Sequence, residues 1–122
     1  MAALIITNGE QAGTYFPLAN RPLTAGRDPA RDIQIMDPKV SRKHFQIRKD
    51  EDKYAILEFK STNGVYVNGT KIEGEQFLQD GDRIQIGDTV LGFCLVDDPD
   101  RTNALNKFKR ADRHAREDRT IQ

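Results

Sequence analysis

The chain has 122 residues, 31% of them charged, with a formal net charge of zero at pH 7. That length suits one domain and is too short for two ordinary ones. The balanced charge argues against the broad positive field of a nucleic-acid or anionic-membrane binder.

The balance conceals a split. Residues 1 to 100 hold 12 Lys and Arg against 16 Asp and Glu, whereas residues 101 to 122 hold 7 against 3. We therefore expect a folded domain over 1–97 and a charged tail over 98–122. The opening "MAALIITNGEQ" is too short an apolar run, and lacks the basic flank, for a signal peptide or a spanning helix. With one cysteine, Cys94, no disulfide can close within the chain. Both features fit a reducing, cytoplasmic setting.

From residue 3 to 96, short apolar or alternating runs recur with turn signals between them, the pattern of an all-β sandwich or barrel. "ALIIT" is followed by a hairpin connection holding Gly9 and Gly13, then by "TYFPL" and by "LTAG", which ends at Gly26. "DIQIM" turns Ile33 and Ile35 inward. In "HFQIRK", Phe45 and Ile47 share one face while Gln46 and Arg48 share the other, because strand side chains alternate with period two. The run "KDED" at 49–52 reads as a solvated hairpin loop before "YAILEF". "VNGTKI" places Asn68 and Gly69, a dipeptide that accepts positive φ at both centres of a type I′ turn, between two alternating runs. "QDGDRI" repeats that turn chemistry at Asp80 and Gly81. "VLGFCLV" closes the series and holds Cys94, which is expected to be a small buried hydrophobe. Ten or eleven strands are predicted.

Beyond "DDPD", the residues Ala104, Leu105, Phe108, Ala111 and Ala115 make one narrow apolar stripe at helical spacing. This tail is expected to be helical or disordered when free, to pack on the sandwich through Leu105 and Phe108, or to self-associate. Its interleaved acidic residues, Asp112, Glu117 and Asp118, favour a solvated or partner-docking helix over a nucleic-acid patch. Thr120, with arginines at 116 and 119, is also a candidate phosphorylation site.

Donor side chains collect in three loops: "AGRDPARD" with Arg27, "DPKVSRKH" with Ser41, Arg42 and Lys43, and "KSTNG" with Thr62 and Asn63. Gathered at one end of a sandwich, two guanidinium forks, an ammonium and two hydroxyls would hold a doubly charged oxyanion such as a phosphomonoester by charge-assisted hydrogen bonds. Asn63 can both donate to and accept from a ligand's peptide backbone. Each residue alone has a plainer reading: Arg27 as a surface partner of Asp28 or Asp32, Ser41 and Thr62 as turn-closing hydroxyls, Lys43 as a solvated charge. No catalytic residue, metal site or cofactor is expected. His44 and His114 are far apart in sequence and make no ligand spacing with Cys94.

Four motifs in order, "GR" at 26–27, "SRKH" at 41–44, "STNGVYVNG" at 61–69 and "LQDGDRIQIG" at 78–87, resemble the successive signatures of the forkhead-associated (FHA) domain over about residues 3 to 97. The resemblance implies an eleven-stranded β-sandwich that binds phosphothreonine peptides through loops at one end. It implies Arg27, Ser41, Arg42 and Thr62 as phosphate ligands and Asn63 as the residue holding the peptide backbone. Gly26, His44, Gly64, Asn68 and Gly69 are then scaffold, and Lys39 and Lys43 are secondary contacts, Lys39 favouring an acidic residue three positions after the phosphothreonine. Arg31, where the family often has Asn, and Phe45, where a small residue is frequent, depart from the pattern without touching the phosphate ligands. The expected role is a non-enzymatic adaptor in Ser/Thr kinase signalling, its partner a phosphothreonine protein such as a kinase or a kinase substrate. The alternative is a phosphate-independent oligomerisation or docking domain that uses a sheet face or the tail.

Overall fold

The computed structural model of the chain describes residues 2–59, 61 and 63–95. Among them eleven strands run in chain order: β1 (Ala3–Ile6), β2 (Tyr15–Pro17), β3 (Leu23–Gly26), β4 (Ile33–Gln34), β5 (Phe45–Asp50), β6 (Lys53–Glu58), β7 (Tyr66–Val67), β8 (Thr70–Lys71), β9 (Glu75–Leu78), β10 (Arg83–Ile86) and β11 (Thr89–Cys94). They form a six-stranded sheet, β2-β1-β11-β10-β7-β8, and a five-stranded sheet, β4-β3-β5-β6-β9. The strand pairs are antiparallel except β3 with β4, which run parallel. Among the described residues no helix is long and apolar enough to cross a membrane. The expected tail over 98–122, with Thr120, lies outside them.

Alternation sets the core. In β5, Phe45 and Ile47 are buried while Gln46 and Arg48 are half-buried on the other face, and β10 repeats this with Ile84 and Ile86 inward. Leu4, Ile6, Ile33, Ile35, Ile56, Leu91 and Phe93 complete a continuous cluster between the sheets. The Tyr54 and Phe93 rings meet inside it at 5.6 Å with a tilt of 57°. Burying a side chain such as Phe45 contributes about 1.5 to 3 kcal/mol. The bulky residue in that place therefore anchors the start of β5, directly after His44.

The turns follow local chemistry in two places. Val67 pairs with Thr70 across a two-residue loop, and both Asn68 (φ 51°) and Gly69 (φ 86°) have the positive φ of a type I′ turn. The β5–β6 hairpin turns at Glu51 and Asp52 within the solvated "KDED" run. The expected repeat of the Asn68–Gly69 turn at Asp80–Gly81 is corrected: Gly81 has positive φ and Asp80 does not, and β9 and β10 belong to different sheets. The turn there is a crossover. The Asp82 carboxylate holds it by accepting from the Gln79 amide at 2.8 Å.

Candidate functional site

Three loops meet at one end of the sandwich: those after β3, before β5 and before β7. The first two are joined by their main chains. The Arg27 amide donates to the Ser41 carbonyl at 3.0 Å, and the Asp28 amide to the Arg42 carbonyl at 3.4 Å. Gly26 makes this approach possible, since a Cβ there would lie 2.1 Å from the Arg42 carbonyl oxygen, far inside any real contact. A residue with a side chain would have to push the loops apart.

The second and third loops are joined by His44, which is fully buried. Its Nδ1 accepts from the Ser41 amide at 3.0 Å, and its Nε2 lies 2.7 Å from the Gly64 carbonyl oxygen. An amide can only donate and a carbonyl can only accept. The ring is therefore neutral, with its proton on Nε2. Burial, the largest influence, holds its pKa below the usual 6.5, against an opposing contribution from the Gly64 hydrogen bond. Both nitrogens being occupied, His44 braces the loops and has no free position for proton transfer.

Arg27 is exposed at its end but anchored along its shaft, with Nε donating to the carbonyl of buried Val40 at 3.1 Å. The plainer reading of Arg27 as a partner of nearby acids does not describe this arrangement. Asp32 accepts instead from the Thr24 amide at 2.9 Å and from Arg21 at 3.1 Å, which together hold its carboxyl below the usual range. Asp28 accepts from the Ala30 amide at 3.0 Å.

Arg27, Ser41, Asn63 and Lys39 line one concavity of about 210 Å³ together with Pro38 and Val40. Arg27 and Arg42 line an adjoining one of about 300 Å³ with Asp28 and Pro29. Arg27 is common to both, so its side chain borders the concavity at Arg42 as well as the one at the Ser41 loop. Thr62, expected on its rim, lies outside the described residues. Lys43 is placed elsewhere: its ammonium sits over the Phe59 ring, 4.4 Å from the centroid.

Asn63 is exposed and donates from Nδ2 to the Lys39 carbonyl at 2.6 Å, tying the third loop to the second. Beyond it a larger cavity of about 460 Å³ is walled by Lys39, Asn63, Tyr66, Gly69, Gln85, Gly87 and Asp88. The Asn68–Gly69 hairpin therefore borders the site. Lys39 shares its charge with Asp88 at 3.2 Å, which sequence reasoning did not anticipate.

Asp37 was also missed. It is buried and accepts from the Lys39 amide, the Asp88 amide and the Thr89 hydroxyl, each at 2.9 Å. Burial pushes its carboxyl up, but those bonds outweigh it and leave the pKa below the usual 3.8. Gly87, with φ +58°, lets the Asp37 carboxylate approach where a Cβ would meet it at 2.9 Å. The sequence reading placed Asp37 in a donor-bearing loop without a role, and its partner Asp88, 51 residues away, carried no local signal.

With two arginines and an anchored loop backbone, these adjoining concavities have the chemistry of an anion receptor. The FHA domain family model matches residues 23–87. The chain is 41% identical over 92 residues to the oxoglutarate dehydrogenase inhibitor of Corynebacterium efficiens, covering 75% of this chain and 64% of that one. It is 36% identical over 92 residues to the glycogen accumulation regulator GarA of Mycobacterium tuberculosis, covering 75% and 56%. Its fold is similar to the N-terminal FHA domain of S. cerevisiae Rad53p, solved with a phosphothreonine peptide, at a TM-score of 0.69 and 29% identity over 79% of this chain and 94% of that one. The chain thus spans about six-tenths of the length of the curated relatives it matches.

Proposed function

Because the chain belongs to the FHA domain family, we propose that it is a phosphothreonine-dependent binding module, an adaptor that acts by holding a phosphorylated partner in Ser/Thr kinase signalling. The observation that carries this reading is the placement of exposed Arg27 between two adjoining concavities, one lined by Arg42 and one by Ser41 and Asn63, on loops locked together by Gly26 and His44. In the bound state Arg27, Ser41, Arg42 and Thr62 replace the water around the phosphate. The anchored Arg27 Nε leaves the terminal guanidinium nitrogens for the ligand, so less side-chain freedom is lost on binding. Asn63, held near Lys39, sets the peptide main chain beside the phosphothreonine.

The partner is a phosphothreonine protein, a kinase or a kinase substrate, and the role is regulatory and non-catalytic. Relatives named as an inhibitor and as a regulator support that role. We place the protein in the cytoplasm, as domain 1–97 followed by tail 98–122. The test is a degenerate phosphothreonine peptide library read against the wild-type protein, with the unphosphorylated library as control. Retention of the phosphorylated pool alone supports the reading, and equal retention of both pools contradicts it.

A further inference from the structure

The two sheets end in four edge strands, which differ in how they are guarded against another strand. β2 ends in Pro17, while β4 and β8 are two residues each, β8 with Lys71. Proline, lysine and shortness are the usual protections of an edge. β9, at the edge of the five-stranded sheet, is the longest of the four and holds neither proline nor lysine. It also carries Phe77, 47% exposed and the one large exposed apolar side chain in a strand among the described residues.

The main chain of β9 is open in a defined pattern. The Glu58 amide donates to the Gly74 carbonyl at 2.9 Å, so those two residues are a hydrogen-bonded pair. Such pairs alternate along an antiparallel ladder, so Gln76 and Leu78 also bond to β6. Glu75 and Phe77 stand in the intervening positions. Their amides and carbonyls point away from β6, and no turn or loop bond among the described residues takes them.

This edge is complementary to itself. Two β9 strands set antiparallel with Gln76 on the two-fold axis bring Glu75 of each opposite Phe77 of the other. Every outward amide and carbonyl of the two residues then finds a partner, in four reciprocal bonds. The side chains agree with that register. Within one chain the Lys53 ammonium lies over the Phe77 ring, 5.5 Å from its centroid, and Arg48 pairs with Glu75. Setting Glu75 beside Phe77 of the second copy therefore brings its carboxylate toward that copy's Lys53. The two Phe77 residues fall at diagonal positions, about 7 to 8 Å apart and within reach of aromatic rings. Exposed Gln76 meets its own copy, where two amides can each donate and accept.

We propose that β9 is a contact between two copies of this chain, pairing antiparallel about Gln76 and joining their five-stranded sheets into one. The contact is short and its partnership reversible. No residue of β9 lines the concavities around Arg27 and Asn63, so pairing and phosphopeptide binding are separable, and two copies together would present two receptors.

The experiment is sedimentation equilibrium of the full 122-residue chain over a range of concentrations, without phosphopeptide. The wild-type mass is expected to climb from one chain toward two. A mass of one chain at every concentration overturns the proposal and leaves the edge to a strand of another protein. Phe77→Pro removes an outward amide that the monomer does not use, and is expected to weaken self-association by about tenfold or more. Wild-type self-association in that variant overturns the proposal in favour of another surface. Phe77→Glu sets carboxylates opposite each other at both ends of the pair, and is expected to remain a single chain. Adding Glu75→Lys makes each an opposite-charge pair and is expected to restore the dimer; a folded double variant that stays a single chain overturns the proposal. A cooperative urea transition identifies the folded variants, and the wild-type measurement stands without them.

Discussion

His44 donates from Nε2 to the carbonyl of Gly64 at 2.7 Å, and the same ring accepts the Ser41 amide through Nδ1 at 3.0 Å. One buried side chain thereby fixes the spacing of the two loops that carry the receptor's donors. Replacing it by alanine strips partners from the half-buried Ser41 amide and the buried Gly64 carbonyl, at up to about 1 to 3 kcal/mol each, and leaves a cavity. His44→Ala is therefore expected to lower stability by about 2 to 5 kcal/mol in urea unfolding. Phosphopeptide affinity should fall with it, although His44 touches no ligand.

The same ring predicts a pH dependence. Its pKa in the folded state is held below 6.5 by burial, so in acid the unfolded chain takes up the proton first. The stabilisation is complete above about pH 6.5 and is lost as pH falls through the folded-state pKa. Protonation would also point an N–H at the Ser41 N–H. Unfolding free energy measured from pH 7.5 to 5 should decline below 6.5, and a His44→Gln variant should lack that decline. Asp37, whose carboxyl is held below 3.8, adds a separate loss at more acid pH with the same sign.

Gly26→Ala tests the closeness of the first two loops. The added Cβ would meet main-chain oxygen at 2.1 Å, and backbone cannot turn aside as a flexible side chain can. Overpacking of this kind costs about 1 to 3 kcal/mol or more. The variant is expected to melt at a lower temperature and to bind the phosphopeptide more weakly, because the Arg27–Ser41 main-chain bond must open. Wild-type melting and affinity would contradict the described geometry.

Much of this architecture was legible beforehand. Alternation in β5 and β10 displays which residues face the core, and Asn68–Gly69 carries its turn in its own dihedral preferences. Asp80–Gly81 carries a turn too, but a dipeptide specifies local dihedrals and not which sheet receives the next strand. The contacts between Asp37 and residues 88 and 89 join segments far apart in sequence, and Val40 holds Arg27 through its carbonyl, a group every residue has. Neither leaves a signature in side-chain identity. The expected acid-reading role of Lys39 assumed a free charge, and its partner Asp88 becomes visible only when the β10–β11 turn is folded against it.

That ion pair yields a specificity prediction. Lys39 and Asp88 are both well exposed, so breaking the pair should change stability by less than about 1 kcal/mol. Asp88→Asn should release the ammonium and increase the preference for acidic residues after the phosphothreonine. Selection from a phosphopeptide library by the wild type and the variant measures the change, and identical preferences would remove Lys39 from specificity.

The central claim rests on Arg27. Charge-assisted hydrogen bonds are worth about 1.5 to 3 kcal/mol each, or about tenfold to a hundredfold or more in affinity. The most direct measurement is calorimetric titration of one phosphothreonine peptide, selected from the library, against the wild type and Arg27→Ala, with the unphosphorylated peptide as reference. We expect binding that needs the phosphate and weakens at least tenfold in the variant, which stays folded at the titration temperature although it melts lower because the Val40 carbonyl loses its partner. Unchanged affinity in a folded Arg27→Ala protein would contradict the assignment of this depression as the phosphate receptor.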